Sequence, residues 1–284
     1  MKPVCFLHGR IQPLSEARLD PLDRGYLFGD ALYEVVKVLD GSLLHLQPHL
    51  DRLYRGLEQV QIQAPEGLEL AFRQLLVESS LQSGYLYLQV SRGVRSRLLI
   101  PPPDLEPTVF IAPFEHLFDS PAGRSKRAIT VPDWRWEFRN VKTTSLMATV
   151  LGKLRAGKAA VDEVLFVGPD GDLREGGTTN VFVRHQGRFE THPADGSILQ
   201  GVTRSSLLQL ARELDLPVVE TAPRMKDLDA WQEAFLCGTT TGVQPLVEID
   251  GRAIGSGRPG EATRKLALAF DRLERSLLDP AVSV

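Results

Sequence analysis

The strongest local fold signal in this chain is a hairpin that is followed directly by an amphipathic helix. The apolar run Ala31–Leu39 ends at Asp40-Gly41, a pair typical of a two-residue hairpin turn, and Ser42–Leu46 returns as the second strand. Leucine and valine then recur at steps of three and four residues after Gln47-Pro48, which predicts a helix with proline near its start. This part of the chain therefore contains both strands and a helix.

The remaining pattern mixes strands and helices without strict alternation. In the first half we predict a helix over Leu68–Leu81 and strands over Tyr85–Arg92 and Thr108–Phe114. In the second half a strand from Ala128 precedes a helix over Ser145–Ala160, and further strands and helices follow. This order predicts an α/β protein, in which a small α+β domain is followed by a larger mixed α/β domain.

A polar segment over residues 119–126, Asp-Ser-Pro-Ala-Gly-Arg-Ser-Lys, is the best linker signal in the chain. A length of 284 residues is sufficient for two ordinary domains. We therefore predict a small N-terminal α/β domain over residues 1–118, an interdomain linker over 119–126, and a large C-terminal domain over 127–284.

Composition and charge favour a small-molecule partner. The formal net charge is −3, which gives no electrostatic footprint for nucleic acid or an anionic membrane. No apolar run approaches the ~20 residues of a membrane span, the N-terminal residues lack the hydrophobic region of a signal peptide, and two cysteines cannot form a disulfide framework. We therefore expect a cytoplasmic protein. His45 and His49 are separated by Pro48 and have no third ligand nearby, so no metal site is predicted.

Two charged residues in polar segments are candidates for chemistry. Lys142 precedes the helix predicted to start at Ser145, and a lysine at a helix N terminus is a better nucleophile because the helix dipole disfavours its protonated form. Glu175 stands before Gly176-Gly177, in a loop that leads into the apolar strand Val181–Val183. Taken singly, each has an ordinary alternative, because most lysines are solvated and many glycine loops are surface turns.

Two other segments are candidates for binding an anion. Gly201-Val202-Thr203 opens a helix and offers backbone N–H groups and a hydroxyl, an arrangement that can hold a phosphate. Residues 238–242, Gly-Thr-Thr-Thr-Gly, offer a second such loop after a strand. A lysine that can form an imine, a carboxylate that can face a ring nitrogen, and a cup for a phosphate are together the groups that pyridoxal phosphate requires.

Several motifs occur along the chain in a specific order. They are Asp23–Glu34, His49–Leu53, Val141–Thr143, Arg174–Gly176, Thr179–Phe182, Ile198–Arg204 and Gly238–Thr240. In these motifs the chain resembles the class IV, fold-type IV pyridoxal-phosphate enzymes, which include D-amino acid transaminases, branched-chain aminotransferases and aminodeoxychorismate lyases. The resemblance extends nearly from end to end. It implies a homodimer of two-domain subunits with the cofactor between the domains.

The resemblance also implies a role for each matching residue. Lys142 corresponds to the catalytic Schiff-base lysine and Glu175 to the partner of the pyridine nitrogen. The other implied cofactor-binding residues are Arg52, Val202, Thr203 and Thr239 for the phosphate, with Leu199 packed on the ring and Asn180 beside it. The implied substrate-binding residues are Tyr33, Arg97 and Thr240.

The segment Ser91–Leu99 looks most like that of the D-amino acid transaminases, in which an arginine at the position of Arg97 grips the substrate carboxylate. Those enzymes usually have a histidine two residues later, where this chain has Leu99. Branched-chain aminotransferases share the cofactor motifs but usually carry a Tyr-x-Arg pair, where this chain has Tyr87-Leu88-Gln89. Aminodeoxychorismate lyase and a non-catalytic binding protein are further alternatives. We predict a ping-pong transaminase for a D-amino acid such as D-alanine and a 2-oxo acid such as 2-oxoglutarate.

Overall fold

The computed structural model describes residues 1–278, which divide into two compact units. Met1–Leu117 and Val141–Ser145 belong to the first unit, together with residues 277 and 278. Phe118–Asn140 and Leu146–Ser276 form the second unit. The short segment that carries Lys142 therefore belongs to the first unit, although the chain before and after it belongs to the second. The predicted C-terminal boundary at residue 284 lies outside the described residues.

The first unit is built on a six-stranded antiparallel sheet. Its elements are β1 (Val4–Leu7), β2 (Arg10–Pro13), α1 (Arg24–Phe28), β3 (Ala31–Leu39), β4 (Ser42–Leu43), α2 (Leu46–Gln59), α3 (Leu68–Ser79), β5 (Gly84–Ser91) and β6 (Thr108–Glu115). The strand order is β2-β1-β6-β5-β3-β4. The predicted hairpin is confirmed, and its second strand is shorter than predicted because the chain enters α2 at Leu46.

The apolar stripe of α2 packs on the core face of β3. Leu50, Leu53 and Leu57 of the helix are buried in one cluster with Leu32 and Val36 of the strand. Burying a leucine side chain contributes roughly 1.5–3 kcal/mol, so these contacts are the main attachment of α2 to the sheet. The packing fixes which residues of β3 and α2 face each other, and this register positions the charged residues described below.

The second unit is built on a nine-stranded mixed sheet. Its elements are β7 (Lys126–Pro132), α4 (Met147–Lys158), β8 (Glu163–Val167), β9 (Leu173–Gly176), β10 (Asn180–His185), β11 (Arg188–Glu190), α5 (Val202–Glu213), β12 (Val218–Val219), β13 (Glu233–Gly238), β14 (Gly242–Ile249), β15 (Arg252–Ala253) and α6 (Glu261–Ser276). The order is β12-β11-β10-β13-β14-β7-β8-β9, and β15 pairs with β14. Because β9 also pairs with β10, the strands from β10 to β9 form a closed ring.

The helix α4 leaves its large apolar side chains exposed and buries its small residues. Val150 and Leu154 are exposed, whereas Gly152 and Ala156 are buried. A Cβ atom at Gly152 would lie 3.1 Å from a methyl group of Val164, so the small residue lets the helix lie close to β8. The sequence predicts the helix, but its apolar stripe does not pack on the sheet of this unit.

Candidate active site

Lys142 lies on a short segment beside β3. The Tyr33 N–H donates a hydrogen bond to the Lys142 carbonyl at 3.0 Å, and the Thr144 N–H donates to the Ala31 carbonyl at 3.0 Å. The Lys142 Nζ is 4.2 Å from the centre of the Tyr33 ring, where the aromatic face attracts an ammonium group. These contacts bring two residues of the predicted site, Lys142 and Tyr33, next to each other.

The helix that follows Lys142 begins later than predicted. It starts at Met147, and no side chain caps its first turn. The hydroxyls of Thr144 and Ser145, which lie just before this helix, each donate to the Gly29 carbonyl at 3.3 Å. The prediction that Lys142 is held at a helix N terminus is therefore wrong. The strand β3 holds the lysine instead.

Arg52 is paired with a carboxylate that sequence reasoning missed. Glu34 is fully buried on β3, and the Arg52 Nε and Nη2 atoms donate to its two oxygens at 2.7 Å each. The His49 Nδ1 lies 2.8 Å from Glu34 Oε2. Burial alone would raise the pKa of Glu34, but Arg52 and His49 outweigh burial and lower this pKa to about 2. The paired hydrogen bonds fix the plane of the Arg52 guanidinium.

A sequence signal for this cluster did exist. Glu34 alternates with Leu32 and Val36, which both lie in the core, so the strand period places the carboxylate on the apolar face. A carboxylate there is costly unless it is paired. The partners His49 and Arg52 are three residues apart on α2 and so share one helix face.

Arg97 lies on an exposed loop whose main chain is anchored by Arg24. The buried Arg24 guanidinium donates to the carbonyls of Leu98 and Leu99, the latter at 3.1 Å. The Arg97 side chain is exposed, and its guanidinium carbon is 5.5 Å from the centre of the Phe28 ring. Leu99, which stands where a histidine was expected, is 79% exposed. The loop is therefore fixed at its backbone while the Arg97 side chain stays accessible.

A neutral pair on β5 lies beside Tyr33. The rings of Tyr33 and Tyr87 are 5.7 Å apart, and the Tyr87 hydroxyl donates to Gln89 Oε1 at 2.9 Å. Burial raises the pKa of Tyr87 to about 12, so its hydroxyl is neutral at ordinary pH. Gln89 is directly opposite Tyr33 across the strand pair. Gln89, which stands where a branched-chain aminotransferase was expected to have an arginine, is thus uncharged.

Glu175 is buried on β9 and joins two other residues of the predicted site. Its Oε2 accepts from the Asn180 Nδ2 at 3.2 Å and from the Leu199 N–H at 3.1 Å. Asn180 Nδ2 also donates to the Leu199 carbonyl at 2.9 Å. Burial raises the pKa of Glu175, while the neighbouring Arg135 and the Leu199 N–H act in the opposite direction. The second unit therefore gathers Glu175, Asn180 and Leu199 at one place.

Arg135 contacts Glu175 and was missed by the sequence analysis. Its Nη1 donates to Glu175 Oε1 at 2.6 Å, and its Nε and Nη2 donate to the two oxygens of Asp133 at 2.9 and 3.0 Å. Its guanidinium carbon lies 4.2 Å from the centre of the Phe166 ring. No motif marks Arg135, because its pairing with Glu175 depends on the order of strands in the sheet.

The N terminus of α5 follows directly after Leu199. The helix begins at Val202, its N-cap position is Gly201, and no side-chain hydrogen bond caps it. The first-turn N–H groups of Val202 and Thr203 have no partner within the helix, as at every helix start. A Cβ atom at Gly201 would lie 2.1 Å from Asn180 Oδ1, so only glycine fits there. The helix α5 therefore begins at the predicted segment, and binding of an anion there stays a prediction.

Thr239 and Thr240 lie in the turn between β13 and β14 and are half-buried. Asn180 is directly opposite Cys237 on the neighbouring strand, so this turn begins close to Asn180. A Cβ atom at Gly238 would lie 3.4 Å from the Thr178 carbonyl. The second predicted anion-binding loop is thus adjacent to residues 177–179, which join β9 to β10; Glu175 itself lies on β9 and not in the loop predicted for it.

Comparison with known proteins identifies the family. The sequence model of the family described as "Amino-transferase class IV" matches residues 31–249. The chain is 35% identical to D-alanine aminotransferase of Bacillus licheniformis over 95% of this chain and 96% of that protein. It is 34% identical to a Methanocaldococcus jannaschii protein described provisionally as a branched-chain-amino-acid aminotransferase, over 93% and 94% of the two chains. The chain belongs to the class IV aminotransferases, which are pyridoxal-phosphate-dependent enzymes.

A solved structure confirms the predicted fold. The branched-chain amino acid aminotransferase from Escherichia coli superposes with a TM-score of 0.89 at 21% sequence identity, covering 99% of this chain and 97% of that chain. At this level of identity the likeness concerns the fold alone. The predicted fold-type IV architecture with mixed helices and sheets is therefore correct.

The residues present fit pyridoxal phosphate. The Lys142 amine is available for covalent attachment, and Glu175 offers a buried carboxylate suited to a protonated ring nitrogen. The start of α5 suits a phosphate, because no side chain caps its first N–H groups and the N-cap residue Gly201 carries no side chain.

Two further findings concern residues 1–278. No group of three or more His, Cys, Asp and Glu side chains in this range could hold a metal ion. Every helix in the same range is too short or too polar to cross a lipid bilayer.

Proposed function

We propose that this enzyme moves an amino group between a D-amino acid such as D-alanine and a 2-oxo acid such as 2-oxoglutarate. The observation that carries the proposal is the 35% identity, over nearly the whole of both chains, with a D-alanine aminotransferase. The neutral Tyr87–Gln89 pair supports the same choice, because a branched-chain enzyme was expected to have an arginine there. The exposed Arg97 supplies a guanidinium for the substrate carboxylate.

In the proposed mechanism Lys142 is the lysine to which the cofactor attaches, and it also moves the proton. When bound, pyridoxal phosphate supplies a carbon that accepts the substrate amine and a ring that accepts electron density from Cα. When it is not attached to the cofactor, the Lys142 Nζ would act as the general base for the Cα proton and then as the general acid that returns a proton. With the cofactor bound, Glu175 would pair with the ring nitrogen and keep it protonated, which would make the ring a better acceptor of electrons.

The remaining proposed roles concern binding. The proposed phosphate ligands are the guanidinium of Arg52, the N–H groups of Val202 and Thr203, the Thr203 hydroxyl and Thr239. Leu199 would pack on the ring, and Asn180 holds the Glu175 carboxylate through its hydrogen bond. Tyr33, Arg97 and Thr240 face the substrate. The cluster of Glu34 and His49 supports these roles, because it orients the Arg52 guanidinium.

An assay of both enantiomers tests the substrate. We expect D-alanine with 2-oxoglutarate to give pyruvate and glutamate at a rate far above that of L-leucine or L-isoleucine. The alternative is a branched-chain L-amino acid aminotransferase, which the Methanocaldococcus jannaschii relative favours. Turnover of L-leucine or L-isoleucine without turnover of any D-amino acid would overturn the D-specific assignment in favour of that alternative.

Arg97→Met tests the carboxylate contact. A hydrogen bond to a charged group contributes about 1.5–3 kcal/mol, so we expect kcat/KM for D-alanine to fall about 10- to 100-fold. The absorbance of the bound cofactor should not change. Arg95→Met is the matched control, since Arg95 is another exposed arginine of the same loop. Equal kcat/KM values for the two variants would remove Arg97 from the substrate site.

The proposed assembly is a homodimer. The exposed apolar residues of α4, Met147, Val150, Leu151 and Leu154, follow helical spacing and form one stripe that a second copy can cover. We expect sedimentation equilibrium to give twice the chain mass of 31.5 kDa, and Leu154→Glu to shift the protein toward monomer. Leu70→Glu, at an exposed leucine of α3, is the control and should leave the dimer intact. A monomeric wild-type protein would contradict the proposal.

We place the enzyme in the cytoplasm. Cys5 and Cys237 are both buried free thiols rather than a disulfide pair, as is usual for proteins of a reducing compartment.

A further inference from the structure

Arg135 is a cationic hydrogen-bond donor to the Glu175 carboxylate, and Arg135 is itself held by a second carboxylate, that of Asp133. Arg135 reaches Glu175 with Nη1 alone, because its other two donor positions are bound by Asp133. The Asp133 side chain is completely buried and also forms ion pairs with Arg139 and Arg174, at 2.8 and 2.9 Å. The Arg135 guanidinium that contacts Glu175 is therefore fixed in place by the buried Asp133 carboxylate.

Charge balance explains why Arg135 matters more than the other two arginines. Burial of Glu175 favours its neutral form, and Arg135 is the arginine that touches the carboxylate. Burial would lower the pKa of Arg135, but Asp133 and Glu175 outweigh burial and raise it, so the guanidinium stays charged. The negative charge of Asp133 raises the pKa of Glu175, whereas Arg135 lowers it. The direct 2.6 Å contact is therefore what makes the effect of Arg135 the larger of the two.

Charged and polar groups from several strands of the second unit surround Glu175. Arg135 and Asp133 lie on the segment after β7, and Arg174 precedes Glu175 on its own strand. The strand β8 contributes Phe166, which is directly opposite Glu175 and lies under the Arg135 guanidinium. Asn180 of β10 and the Leu199 N–H contribute neutral donors to Oε2.

We propose that Arg135, oriented by Asp133, is a positioning residue that keeps Glu175 deprotonated and its carboxylate plane fixed. Without Arg135, the burial that already raises the pKa of Glu175 would favour its protonated form more strongly. A neutral carboxyl cannot stabilise a protonated ring nitrogen, so the electron-accepting capacity of the bound cofactor would fall. The last step rests on the proposed function, whereas the effect on Glu175 itself does not.

The direct test measures Glu175 in the protein without added cofactor. Infrared spectra are recorded across pH, and the Glu175 carboxylate band is assigned by its loss in Glu175→Gln. We expect Arg135→Met to raise the midpoint of this band by about 1–3 pH units, the effect expected of one adjacent opposite charge. Arg139→Met, which removes another cation from Asp133, is the matched control and should move the midpoint little. Arg135→Lys keeps the charge and should restore part of the wild-type midpoint.

Two results would overturn the inference. One is a Glu175 midpoint in Arg135→Met that equals the wild-type midpoint in a protein with unchanged circular dichroism. The other is an equal rise in the Arg139→Met control. If Arg135→Met does not fold, the Arg135→Lys midpoint decides, because it should lie above the wild-type value.

The cofactor-loaded enzyme gives a second readout. We expect Arg135→Met to lower kcat about 10-fold or more while changing the KM for D-alanine and the affinity for pyridoxal phosphate by less than about threefold, since the phosphate and substrate contacts remain. A wild-type protein that binds no pyridoxal phosphate would refute the proposed function and leave the infrared result intact. An unshifted infrared midpoint together with normal transamination would refute only the role of Arg135.

Discussion

Lys142→Ala is expected to lower the turnover of D-alanine by about 1,000-fold or more. The substitution removes both the amine to which the cofactor attaches and the group that moves the Cα proton. General acid–base catalysis alone contributes about 10²- to 10⁴-fold, so the loss of both roles should exceed the effect of any binding residue. The measurement is kcat with D-alanine and 2-oxoglutarate, together with the visible absorbance of the loaded protein.

Lys226→Ala provides the control for that experiment. Lys226 is exposed and has no role in the proposed site, so its replacement should leave both kcat and the absorbance unchanged. Lys142 is half-buried beside Tyr33, and circular dichroism should show that Lys142→Ala folds normally. Full turnover in Lys142→Ala would mean that another residue carries the proton and that the proposed mechanism is wrong.

Glu34→Ala is expected to destabilise the first unit by about 3–5 kcal/mol, because breaking a buried ion pair leaves its partner charged and unsolvated. Arg52 would lose both oxygens that fix its plane, and His49 would lose its 2.8 Å contact. We also expect weaker binding of pyridoxal phosphate, since Arg52 is a proposed phosphate ligand. Urea unfolding at pH 7 measures the stability, and Glu69→Ala, which breaks an exposed pair with Arg73, should change it by less than about 1 kcal/mol.

The Glu34 carboxylate also makes the free energy of unfolding decrease at low pH. The pKa of Glu34 is lowered from 4.5 to about 2 in the folded protein. Its contribution to the free energy of unfolding, on the order of 3 kcal/mol, is therefore fully present above pH 4.5 and is lost as the pH falls toward 2. In Glu34→Gln this part of the acid destabilisation should disappear. Identical pH profiles for the variant and the wild type would contradict the assigned pairing.

Local patterns in the sequence predict the elements of this fold well. The β3 hairpin is confirmed because the turn residues Asp40-Gly41 and the alternation around them are both local. The start of α2 with Pro48 in its first turn follows from the same kind of signal. The apolar residues of α4 correctly predict a helix. They do not show which surface covers them, and in the structure Leu154 is exposed rather than buried.

The charged clusters illustrate what local patterns leave out. Glu175 and Lys142 stand in motifs, whereas Arg135 is 40 residues from the carboxylate that it contacts. That pairing depends on β9 lying beside β8, which in turn lies beside β7. Strand order results from packing of the whole unit, and no window of sequence contains it. Glu34 is an intermediate case, because its place on the core face of β3 and the shared helix face of His49 and Arg52 are visible in the sequence, whereas their pairing is not.

The most direct test of the account identifies the lysine that binds the cofactor. The protein is loaded with pyridoxal phosphate, reduced with borohydride so that the attachment becomes permanent, digested and examined by tandem mass spectrometry. We predict that the added pyridoxyl phosphate mass is found on Lys142. The visible absorbance band of the loaded protein should decrease in proportion to the amount of modified peptide. Recovery of the added mass on a different lysine, or of no modified peptide from a protein that retains transaminase activity, would contradict the central claim.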